Sequence, residues 1–322
     1  MPVSEIPVRS VNITPIPASL LSIDWNDLLW AAITVGRPNR YYVFRHGIPS
    51  LYEALFRASL MRMALEESAG SRRFMRTAAC KHLDPSEKGA VNYFLGLTLC
   101  KAFAEKVLQT PWMLHLDVFR NGLNPVLQRT ERSRPDLVGQ RLDGQWIAFE
   151  SKGRVSEPDS KTKLKAKNQS RRVVSVLGVA VAGHYAGISF FKKDTLSFYV
   201  EDPESFSPDD PRSISVKGEA AELYRHYYQP LKDAFFGENQ RTVSQGELVW
   251  RRVDEIDADI GIHARLLELV RQERWAEVGV FCRESHSLLT RSELRADGIS
   301  VKAGESWRRR IRRQGSPSTT DE

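Results

Sequence analysis

Cysteine is scarce in this chain of 322 residues. Cys80, Cys100 and Cys282 lie far apart, and no CxxC pair occurs. That argues against a disulfide framework and a cysteine zinc site, and leaves reduced thiols of a cytoplasmic protein as the expectation. Long hydrophobic runs are missing too. The longest, VVSVLGVAVAG at 173–183, is too short to cross a bilayer, so no membrane partner is expected. The first residues, MPVSEIPVRSVNITPIPASLL, lack a basic stretch followed by an apolar one, so no signal peptide is expected. GxxxxGK[ST] is absent, which removes a motor ATPase from the chain itself. No zinc-finger spacing, no helix-turn-helix pattern and no internal repeat is visible, so nothing here reads bases by a known motif.

What is present points to a folded protein. Hydrophobic residues make up 41% and aromatics 9%, enough for a core in one large domain or two ordinary ones. The net charge of +7 leans toward a polyanionic partner such as nucleic acid.

Periodicity predicts helices over 19–35, 50–68, 85–108, 160–178, about 217–236 and 263–272. Strands are expected at 40–44, 112–120, 136–142, 145–152, within 184–202 with a turn near Lys193-Asp194, at 247–253 and at 276–281. Asp84-Pro85-Ser86-Glu87 has the pattern of a capped helix start. DPESFSPDDPRS at 202–213 reads as a linker or long loop. The fold class expected is α/β, in three segments. Residues 1–84 form a mostly helical extension, 85–205 the core, and 206–322 a smaller α/β segment ending in a basic, partly disordered tail.

The stretch RPDLVGQRLDGQWIAFESKGR, 134–154, carries the chemistry. Two hydrophobic runs joined at Asp143-Gly144 read as a β-hairpin. Side chains alternate along a strand, so Glu150 and Lys152 share a face. Asp136 and Glu150 stand about equally far from the turn and can face each other. Two carboxylates that close repel unless a cation sits between them, and a hard ion such as Mg²⁺ suits oxygen ligands. The bland alternatives are a turn aspartate after Pro135 and a solvent-facing Glu150–Lys152 ion pair.

Pro135-Asp136 followed by Glu150-Ser151-Lys152 resembles the PD-(D/E)XK nuclease superfamily, over roughly residues 85–200. The expected element order also resembles that family's restriction-endonuclease-like αβββαβ core. The resemblance implies a Mg²⁺-dependent DNA endonuclease, with Mn²⁺ as a substitute, serving restriction, anti-phage defence or repair. It implies that Asp136, Glu150 and the Ser151 carbonyl bind the metal and that Lys152 orients or activates the attacking water. Glu105 is the metal-ligand candidate on the preceding helix, and also reads as a surface carboxylate. Gln169 lies where some members carry a helix Gln, but Val173 stands where their following aromatic would be. DNA is the implied partner, with RNA not excluded. A homodimer or higher oligomer is expected, and so are partner proteins of a multi-component system. The alternative is a non-catalytic nucleic-acid-binding or assembly protein that keeps the fold.

SKTKLKAKNQSRR is dense in cations. At helical spacing Lys161, Lys165, Gln169 and Arg172 fall along one side, a natural track for phosphates and otherwise a solvated basic face.

Overall fold

A computed structural model describes residues 3–13, 19–35, 48–68, 70–122, 134–237, 240–286, 289 and 294–308. The protein is mixed α/β. Strands β1 (Ser4–Val11) and β2 (Leu20–Ile23) lead into helices α1 (Trp25–Thr34) and α2 (Ile48–Ala64). Then come β3 (Leu65–Glu67), β4 (Phe74–Arg76) and α3 (Ala78–His82). The centre is α4 (Pro85–Leu108), β5 (Trp112–His115), β6 (Leu137–Gln140), β7 (Trp146–Gly153), α5 (Ser160–Ser170), β8 (Val173–Val176), β9 (Val179–Lys192) and β10 (Thr195–Glu201). After these follow β11 (Ile214–Val216), α6 (Ala220–Phe235), β12 (Val243–Gln245), β13 (Leu248–Val253) and β14 (Ala258–His263). Helices α7 (Ala264–Arg271) and α8 (Trp275–Glu284), strand β15 (Ile299–Ala303) and helix α9 (Glu305–Arg308) complete the order.

The main sheet runs β2-β1-β10-β9-β7-β6-β5. β7 pairs parallel to β9 and β1 parallel to β10; the other neighbours along this path are antiparallel. Helix α4 covers one face and α5 the other. That double cover explains why WIAFES in β7 is buried without alternation. On the α4 face, Phe103 packs on Phe149 and Phe198. On the α5 face, Ala166 joins Ala186, Ile188, Phe190 and Tyr199.

Helix α4 starts as its sequence predicts. Asp84 accepts from the Ser86 and Glu87 amides, Glu87 reaches back to the Asp84 amide, and Pro85 occupies the first turn. It ends at Gln109, which takes a left-handed conformation (φ 52°). The turn at Lys193-Asp194 is present, with both residues at positive φ, as a type I′ two-residue hairpin requires.

Several expectations are corrected. The stretch 19–35 opens with the four residues of β2 before Asp24 caps α1. The helix expected over 50–68 stops at Ala64, and Leu65–Glu67 pairs with β4. The strand expected over 112–120 stops at His115, where a 3₁₀ segment, Leu116–Gly122, begins. The helix expected over 160–178 ends at Ser170. The β-branched Val173, Val174 and Val176 go into a strand, and Leu177-Gly178, both at positive φ, turn it into β9. The segment AEVGVF at 276–281 is helical rather than extended. Trp275, Val278, Gly279 and Cys282 are its buried residues, and that spacing has the helical period. The strand expected at 40–44 and the tail beyond residue 308 lie outside the described residues.

The segment before residue 84 is not a helical annex, because β1 and β2 belong to the main sheet. One hydrophobic core contains Ile6, Trp30, Leu99, Phe149, Tyr228 and Ile260, so it runs through all three segments. A buried polar knot joins them as well. Asp297 accepts from Trp30 Nε1 (2.9 Å) and the Tyr227 hydroxyl (2.6 Å). Tyr227 in turn accepts from Lys101 Nζ (3.0 Å), which also donates to the Pro111 carbonyl. Burial pulls the Lys101 ammonium down to about 7. Among the described residues no helix is long and apolar enough to cross a membrane.

Candidate active site

The hairpin forms in the register that the sequence suggests. Leu137 pairs with Phe149 and Val138 with Ala148. Continuing that register by one residue sets Asp136 opposite Glu150, where facing side chains lie about 5 Å apart at Cβ. The Asp136 carbonyl accepts from the Leu116 amide (2.8 Å), and its Oδ2 accepts from the Ser151 amide (3.0 Å). The aspartate is therefore held at its backbone and its carboxylate.

Glu150 is completely buried, and Lys152 retains 19% side-chain exposure. The Lys152 ammonium donates to Glu150 Oε1. Glu150 Oε2 is buried and has no hydrogen-bond partner among the described residues. A carboxylate oxygen in that position normally costs a kilocalorie or more, about 1–3 kcal/mol for a neutral group and more for a charged one. Burial first, then the charge of Asp136, pushes the Glu150 carboxyl up to about 8, against the pull of Lys152. Burial also raises Asp136, opposed by Lys152, His115 and the Ser151 amide.

The neighbouring strand brings residues that the sequence does not flag. His115 on β5 pairs with Leu137, next to Asp136. Its imidazole is lowered by burial, while Asp117 and Asp136 favour its charged form. Asp117 binds the Arg134 guanidinium. Gln169, from α5, is buried and donates through Nε2 to the Arg134 carbonyl (3.3 Å), two residues before Asp136. Its Oε1 has no hydrogen-bond partner among the described residues. Strand register alone brings His115 to Asp136, and no linear spacing announces it.

Close approach of α4 fixes the other side. A Cβ at Gly153 would lie 1.7 Å from the Asn92 carbonyl oxygen, and one at Gly96 would lie 3.0 Å from the Lys152 carbonyl. The α4 residues level with Lys152 are therefore Asn92, Tyr93 and Gly96. Glu105 lies nine residues beyond Gly96, roughly 13 Å along the helix. It pairs with Arg295 (3.5 Å) and belongs to the polar knot, not to this site, which corrects its assignment as a metal ligand. Among the described residues no group of three or more His, Cys, Asp and Glu side chains is arranged to hold a metal. The site offers two carboxylates.

Of the basic residues on α5, Lys161 and Lys165 are exposed. They line a shallow groove of about 370 Å³ with Leu164, Asn168, Arg172, Phe206 and Arg212. Gln169 is not part of that groove, because it turns inward to Arg134. The groove adds Phe206 and Arg212 from the 202–213 loop. Arg171 and Arg212 sit over the Phe206 ring at 4.5 and 4.2 Å.

No family model, curated protein or solved structure matches the chain.

Proposed function

We propose that the protein is a Mg²⁺-dependent nuclease acting on DNA, with a centre of the PD-(D/E)XK, restriction-endonuclease-like kind. The observation that carries this reading is Glu150 Oε2, a buried carboxylate oxygen without a hydrogen-bond partner among the described residues, set opposite Asp136. The order α4–β5–β6–β7–α5–β8–β9, which adds β8 to an αβββαβ order, supports it further, with Asp136 just before β6 and Glu150 and Lys152 in the second half of β7.

Asp136, Glu150 and the Ser151 carbonyl would hold the cation. An all-oxygen set with only two carboxylates suits Mg²⁺, which keeps several of its own waters; Mn²⁺ would substitute. The bound ion supplies an acidified water and offsets charge on the phosphate oxygens. Glu150 must lose its proton before it can serve. With Glu150 ionised and holding a cation, the Lys152 ammonium would be available to the scissile phosphate and to orient the attacking water. The water oxygen would form a P–O bond as the P–O bond to the leaving oxygen breaks; the proton lost by the water passes to solvent and the leaving oxygen takes one up from solvent. Lys161, Lys165, Arg172 and Arg212 would hold flanking phosphates.

A second reading, a nucleic-acid-binding protein without cleavage, has one observation in its favour: the Lys152 ammonium already occupies Glu150 Oε1. Plasmid cleavage separates the two. Wild type, Lys152→Ala and Glu105→Gln are compared with Mg²⁺, Mn²⁺ or EDTA. Metal-dependent nicking is expected from wild type and Glu105→Gln, with a loss of roughly 100-fold or more in Lys152→Ala. Binding without cleavage in any metal would favour the second reading. Neither binding nor cleavage would reject both.

A further inference from the structure

Beside the site lies a surface that the nuclease reading leaves unused. Tyr52 and Phe56, one turn apart on α2, are 64% and 52% exposed, and Tyr93 on α4 is 40% exposed. They are continuous. Phe56 meets Phe94 edge-on at 5.5 Å, and Phe94 meets Tyr93 at 5.4 Å. The Arg57 guanidinium stands over the Phe94 ring at 5.6 Å. Arg57 is itself fixed by the Val35 carbonyl (3.0 Å) and by Glu53 (2.7 Å), so the patch has a rigid floor.

The patch adjoins the carboxylates. The Tyr93 amide nitrogen would lie 2.9 Å from a Cβ at Gly153, the residue after Lys152. Tyr93 is close enough to Asp136 and Glu150 for their charges to add to burial in raising its hydroxyl to about 12.

Resting on the nuclease reading, we infer that the substrate is single-stranded DNA, whose unpaired bases stack on Tyr52, Phe56 and Tyr93 while the adjacent phosphate enters the Asp136–Glu150 site. Three features select this occupant. The surface is aromatic rather than aliphatic, which suits π-faces of any base sequence. It lies on the α4 side, whereas the cations Lys161, Lys165, Arg172 and Arg212 lie with α5 on the opposite face of the sheet. A strand crossing the β7 end would set bases on one side and phosphates on the other. A duplex keeps its bases stacked inside and offers no faces to these rings.

The test uses the Lys152→Ala protein, expected on the nuclease reading to bind without cutting, and a single-stranded oligonucleotide carrying 2-aminopurine, beside the matching duplex. Single strand is expected to bind more tightly than duplex, with quenching of the 2-aminopurine. Tyr52→Ala and Phe56→Ala should each weaken single-strand binding roughly tenfold, and Phe56→Trp should restore it. Both positions are largely exposed, so these variants should fold. Equal losses on duplex and single strand, or no loss on either, would overturn the inference and leave the nuclease reading standing. So would a dimer in sedimentation that Phe56→Ala dissociates, because a second copy would then cover the patch. Failure of the parent protein to bind either form would overturn both.

Discussion

Replacing Glu150 by Gln should stabilise the metal-free protein at alkaline pH and leave it nearly unchanged in acid. The carboxyl is fully buried, shares its space with Asp136 and is pushed up to about 8. A raised acid contributes stability that is fully present below its unfolded value, near 4.5, and lost as pH rises through about 8. A shift of that size corresponds to a ceiling of about 5 kcal/mol, since one pK unit is about 1.4 kcal/mol. Gln has nearly the same shape and no charge to bury, so it escapes that loss. Lys152, left without its carboxylate, keeps a path to water. Paired urea titrations of wild type and Glu150→Gln at intervals from pH 5 to 9, in EDTA, would read the effect. The two should agree to within about 1 kcal/mol at pH 5, and the variant should lead by roughly 3–5 kcal/mol at pH 9. Mg²⁺ at a hundredfold excess over its dissociation constant should then return about 2.7 kcal/mol to wild type and little to the variant. Parallel stability curves for the two proteins across this range would refute the reasoning. They would mean that Glu150 titrates like an ordinary solvated acid.

Two further outcomes follow from the surroundings of the site. In Lys161→Ala/Lys165→Ala the slope of log affinity for single-stranded DNA against log salt should become shallower by about 0.7 per lysine removed. An unchanged slope in a salt titration would take the α5 groove out of the binding path. Gly153→Ala places a methyl group 1.7 Å from the Asn92 carbonyl oxygen, where helix backbone would have to move. A loss of about 3 kcal/mol or outright misfolding is expected, and a urea midpoint within about 1 kcal/mol of wild type would contradict this close packing.

Local rules in the sequence determined much of this protein. The Asp84-Pro85-Ser86-Glu87 cap, the Asp143-Gly144 and Lys193-Asp194 turns and the pairing of Asp136 with Glu150 each depend on residues close in the chain. Propensity and strand alternation are enough to fix them. Local rules failed where a distant partner decides. At 276–281, alternating Val, Gly and Val look extended, yet a helix lets Val278 and Cys282 reach the core together. The pattern at 173–178 continued a helical reading, but β-branched residues found strand partners in β9 and β11. Glu105 carried the right residue type on the right helix. Its place was set by where α4 crosses β7, and the tight contacts at Gly96 and Gly153 put Asn92 and Tyr93, not Glu105, beside Lys152. The sequence by itself determined which carboxylates face each other across one hairpin, because a two-residue period and a short turn leave no freedom. Only the tertiary structure decided that Glu150 is sealed from water, that His115 and Gln169 close in on the same end of the sheet, and that aromatic rings from two helices meet beside it. Those facts depend on packing between elements far apart in the chain, which no local spacing encodes.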